Sequence, residues 1–132
     1  MHDVFPINRQ ARDQLGGLTL IFLLGMAVNL IGLPSEVTGG AQTATSVLLS
    51  LHILVAIGLC LVAGSVVTVL RARGSSFLRL AAIGLAVIAL TFVCGVITVS
   101  TGDARWSYAM SVGFIASFWI CGLVIVRTRV DR

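Results

Sequence analysis

The chain has 132 residues, of which 58% are hydrophobic and 11% charged, with a mean hydropathy of +1.06. A soluble domain is about half apolar and roughly a quarter charged, so this composition excludes an ordinary cytosolic enzyme, a disordered tail and a soluble nucleic-acid binder. The formal net charge of +4 rests on nine arginines and no lysine, whose positions fit membrane orientation rather than nucleic-acid binding.

In chain order, charged borders cut out four apolar segments: Gly16–Leu33, Thr45–Leu70, Phe77–Val99 and Trp106–Val126. A membrane span needs about 20 apolar residues, with a range of roughly 17–25. The first segment is short, the others are adequate, and none contains Asp, Glu, Lys or Arg. Each such charge at a helix centre would cost about 2.5–3.5 kcal/mol on insertion scales. The segments do not alternate apolar and polar residues as β spans do. The fold expected is all-α, a single integral membrane four-helix bundle over residues 1–132. Residues 1–44 read as the first span rather than as a cleaved signal peptide, because Pro34-Ser35-Glu36 lacks a cleavage pattern. No lipidation motif is visible.

Arg9 and Arg12 precede the first span, Arg71, Arg73 and Arg79 lie between the second and third, and Arg127, Arg129 and Arg132 follow the fourth. Only Arg105 falls on the opposite side. Positive residues stay cytoplasmic, so both termini are expected in the cytoplasm and the protein in the cell (inner) membrane. The segments 34–44 and 100–105 then face outward. Trp106 and Tyr108 stand at the outer start of span four, where amphipathic rings favour the interface. Small residues recur at four-residue spacing: Ala56, Cys60, Gly64 and Thr68 in span two, and Ala109, Gly113, Ser117 and Cys121 in span four. Gly25, Asn29 and Gly32 in span one and Thr91, Gly95 and Thr98 in span three complete four candidate contact stripes, since helices in lipid approach closely through small side chains.

Cys60, Cys94 and Cys121 all fall inside spans, form no CxxC pair, and read as small packing residues rather than metal ligands. His2 lies in the N-terminal tail. His52 sits about seven residues inside span two, and an ionisable residue within a span is by default a functional hypothesis. Two readings stand side by side: an axial haem ligand, or a histidine hydrogen-bonded between helices to Asn29, Ser50 or a backbone carbonyl. Asn29, His52, Thr98 and Ser111 share a similar depth and are expected to form an outward-facing polar pocket, with Glu36 and Asp103 at its mouth or simply solvated.

The order of spans, and the stretch GVITVSTGDARWSYAMSVGF at residues 95–114, resemble one four-helix half of the haem A synthase family. There a helix end carries a glycine, six mostly apolar residues and a glycine, before a helix that bears a histidine; Gly95 and Gly102 hold this spacing. His52 corresponds to the second-helix histidine of that half. The resemblance implies haem as cofactor with His52 as axial ligand. It places the fourth-helix histidine at Ser111, beside Met110, whose thioether is the alternative ligand. The carboxylate expected one turn before the histidine is Leu49, residues 34–44 hold no cysteine, and one half is present instead of two. Haem A synthesis by this chain alone is therefore not expected. The first function class is a haem-binding membrane module. The second is a non-catalytic accessory or scaffold subunit, partnered by other membrane subunits or by further copies of itself. A small transporter is a third class, weakened by the absence of an intramembrane carboxylate.

Overall fold

The computed structural model describes residues 4–72 and 74–130. His2, Arg73 and Arg132 lie outside them. The described chain forms four helices: α1 Val4–Ile31, α2 Gly40–Ala72, α3 Leu78–Thr101 and α4 Ala104–Val130. Each contains a stretch long and apolar enough to cross a membrane: Arg9–Ile31, Gly40–Ala72, Leu78–Thr101 and Arg105–Val126. Helices suit such sequences because every backbone N–H and C=O within a helix interior is satisfied without water.

The first two helices start earlier than their apolar segments. Apolarity marks the part matched to lipid, and a helix need not stop where its charges begin. Arg9, Arg12 and Asp13 are exposed along α1, and Pro6 sits in its first turn, where a missing N–H leaves no bond unmade. The ends are set by specific residues. Gly32 follows α1 at φ 104° and donates its N–H to the Val28 carbonyl at 2.9 Å. Gly102 follows α3 at φ 67° and donates to Thr98 at 2.8 Å. Both are left-handed caps that favour glycine. The Glu36 carboxylate accepts from the Leu33 N–H at 2.9 Å, and Asp103 Oδ1 accepts from the Arg105 N–H at 2.9 Å at the start of α4.

Short connections make neighbouring helices antiparallel. Each packs on the next, and α4 returns to α1, closing a four-membered ring. The links 32–39 and 102–103 share one end of the bundle, and the termini and the α2–α3 link share the other. The core comprises Leu18, Leu59, Ala63, Ile88 and Cys121. Close seams surround it: a Cβ on Gly17 would stand 2.7 Å from Leu59 Cδ2, one on Gly84 3.2 Å from Ile120 Cγ2, and one on Gly113 would strike the Thr91 hydroxyl.

The stripe on α4 is a contact face from Gly113 onward, with Ser117 and Cys121 buried and Ala109 exposed. The stripe on α2 is one only in its first half, where Ala56 is buried and Cys60 packs against the core. Its buried positions are Ala56, Leu59, Ala63 and Leu70, while Gly64 faces open space and Thr68 is exposed. Four-residue spacing advances about 400° around a helix, so after two steps a straight run of small residues has left the seam.

Candidate functional site at the two-loop end

Six residues before α1 ends, Gly25 faces α2. A Cβ there would stand 3.1 Å from His52 Cε1 and 3.4 Å from Nδ1, so the half-buried imidazole lies on bare backbone. The Ile21 backbone stands beside the ring as a hydrogen-bonding group, the kind of interhelical backbone partner that the second reading of His52 expects. Nδ1 is fully enclosed and has no hydrogen-bond partner among the described residues. A polar atom at a helix seam is costly unless it is paired, and the Ile21 backbone is the polar group that the structure places beside this ring.

The other hairpin contains the same arrangement. Six residues before α3 ends, Gly95 faces α4, and a Cβ on it would stand 3.2 Å from Met110 Sδ. At about 1.5 Å per residue, both glycines lie about 9 Å inside their helix ends. The correspondence extends along α1 and α3: Arg9, Ala11, Leu15, Leu20, Phe22, Gly25 and Gly32 recur 70 positions later as Arg79, Ala81, Leu85, Leu90, Phe92, Gly95 and Gly102. Core residues Leu18 and Ile88 keep the same offset. Along α2 and α4, His52, Ala63, Gly64 and Val66 correspond to Met110, Cys121, Gly122 and Val124, 58 positions on. The two hairpins share these letters, and His52 and Met110 each stand against the glycine of their own hairpin.

Two of the remaining polar candidates, Thr98 and Ser111, find partners within their own helices. Thr98 Oγ1 donates to the Cys94 carbonyl at 2.9 Å, and Ser111 Oγ donates to Ser107 at 3.0 Å. Ser111 and Asn29 are exposed. Glu36 and Asp103 each bind a loop or helix-start N–H, a role that the sequence reading did not assign. The neighbour of Ser111, one residue and about 100° away, is the one turned to a facing helix. One turn deeper, Phe22 of α1 stacks on Phe114 of α4 with ring centroids 5.0 Å apart and planes at 22°.

No protein-family model, curated protein or solved structure matches the chain. The site must therefore be judged on its own chemistry. An imidazole and a thioether are an established axial pair for haem iron. The donor types of His52 and Met110 suit that group, with His52 between α1 and α2 and Met110 between α3 and α4. A bare metal ion is less well served: among the described residues no group of three His, Cys, Asp or Glu side chains converges.

Proposed function

We propose that the protein is a four-span module of the cell membrane, with both termini cytoplasmic, that binds haem near its outer face through His52 and Met110. The observation carrying this reading is that the two residues each stand against the glycine of their own hairpin, at the same depth. The arginine distribution supports the orientation: Arg9, Arg12, Arg71 and Arg79 lie at the end of the bundle that holds the termini, and Arg105 at the other. The similarity to one half of the haem A synthase family, carried by residues 95–114 and His52, points the same way.

If haem binds, the His52 imidazole and the Met110 thioether would hold it, and it would supply one-electron chemistry. The protein residues hold and shield it. His52 is kept upright by the seam with Gly25, Met110 by the seam with Gly95, and the apolar helices exclude water. No carboxylate stands at position 49, one turn before His52, so the reading is haem binding and electron transfer rather than conversion of the macrocycle. The test is an absorption spectrum of gently purified protein, oxidised and then reduced with dithionite. A Soret band lost in His52→Ala supports the reading. Colourless protein from haem-replete cells overturns it.

A second reading, an accessory or scaffold subunit, draws on Gly64 of α2 and Gly122 of α4. Both present backbone to open space, as a partner helix would require for close approach. Stoichiometric co-purification of another membrane subunit, with no haem, would favour it.

A further inference from the structure

Toward the end of the bundle opposite the links 32–39 and 102–103, the four helices line a partly open cavity of about 40 Å³. It exists because Ala63, Ala81 and Gly84 bring little or no side chain to a place where all four helices face one another. Leu70 and Ala11 close it toward the helix ends, at 2% and 4% exposure. One wall is polar, made by Gln14 of α1 with Ser117 and Cys121 of α4.

The hydrogen bonds of that wall are incomplete. The Ser117 hydroxyl donates to the Gly113 carbonyl at 2.8 Å and keeps its lone pairs free to accept. Cys121 donates its S–H to Gln14 Oε1 at 3.7 Å, a weak bond and the one that Gln14 makes among the described residues. A carboxamide has two N–H donors and two carbonyl lone pairs. Gln14 is half-buried, next to the exposed Arg12 and Asp13 in the first part of α1, so water can reach its amide. An internal water needs two to four polar partners and roughly 10–15 Å³ of such space. The cavity offers the partners, and room for about three molecules on that scale.

We propose that this cavity is a water-binding site, in which two or three buried waters bridge the Gln14 amide to Ser117 Oγ and Cys121 Sγ. The inference is independent of haem, since it lies in the opposite half of the bundle from His52. It makes Cys121 a thiol in contact with water despite its burial. Cys94 is the internal control: both cysteines are 5% exposed, and Cys94 does not line the cavity.

The experiment is radiolytic hydroxyl-radical labelling of the full chain in nanodiscs, read residue by residue by mass spectrometry. Radicals form from water beside the residue they label, so Cys121 should be oxidised several-fold faster than Cys94. Gln14→Leu, which removes the main polar partner, should bring Cys121 down to the Cys94 rate. Equal rates for the two thiols in the unaltered protein overturn the proposal, as does a Gln14→Leu protein that labels Cys121 as before. If that variant fails to fold, xenon decides on the unaltered chain: a xenon-dependent shift of methyl resonances at Ala63 and Ala81 means a dry cavity and overturns it, and no shift supports it.

Discussion

The imidazole of His52 rests on the bare Cα of Gly25, with 3.1 Å between Cε1 and the place where a Cβ would stand. Space, not charge, holds the ring upright there. Gly25→Ala should be tolerated with a small loss, since the ring has only a few tenths of an ångström to yield. Gly25→Leu overpacks the seam and should lower stability by about 1–3 kcal/mol. Gly16→Leu, where a Cβ meets nothing within 4 Å, is the control. Thermal melts in detergent check all three, and equal melting temperatures for the two leucine variants would refute the seam.

Gly113 and Gly64 test the same idea on helices where the sequence pattern treats them alike. A Cβ on Gly113 would lie 3.1 Å from the Thr91 Cβ and strike the Thr91 hydroxyl, whereas Gly64 has open space. Gly113→Ala should destabilise the bundle by about 1–3 kcal/mol. Gly64→Ala should be neutral or stabilising by roughly 0.5–1 kcal/mol, the usual gain of alanine over glycine in a helix. Combining Thr91→Ala with Gly113→Ala should recover most of the loss. Failure to recover would mean that the contact is not the cause.

Four helices could be read from composition because each is marked by a long apolar run, bordered by arginine at one end of the bundle. The helix starts could not, because Arg9 and Gln14 continue α1 beyond its apolar part. Setting the first segment to begin at Gly16 left Gln14 outside the bundle, although it lines the cavity. The buried seam of α2 was misread at Gly64 and Thr68, since equal spacing does not follow a 3.6-residue turn. The likeness of the hairpins is faint in the letters, where Gly and Leu recur by chance in any apolar helix. It shows in space, where Gly25 and Gly95 admit His52 and Met110 at one depth. The Gly95 and Gly102 spacing pointed to Ser111, a single residue from the side chain that faces α3.

Topology follows from the same arginines. Reporter fusions after Ser35, Gly74, Asp103 and Arg132 should read out, in, out, in, because Arg-rich segments remain cytoplasmic. Moving the bias should weaken the orientation: replacing Arg71, Arg73 and Arg79 by Gln while adding three Arg after Thr38 should give mixed topology. A periplasmic C-terminus in the unaltered protein would reverse the assignment of the two ends.

Met110 offers the most discriminating substitution. If His52 and Met110 oppose each other across haem, His52→Ala should abolish the Soret band, because no other histidine lies within the four helices. Met110→Leu should leave one axial ligand and shift the band toward a high-spin form. Met110→His should give a low-spin bis-imidazole spectrum and a lower reduction potential, since a thioether ligand raises the potential that an imidazole lowers. Ser111→His should not do so. Ser111 is exposed and already bonded to Ser107, and its side chain leaves the helix about 100° from that of Met110. A bis-imidazole spectrum from Ser111→His and not from Met110→His would place the second ligand by the glycine spacing and discard the hairpin equivalence. No band from any of the four proteins would leave His52 as a packed interhelical side chain and bring the accessory-subunit reading forward.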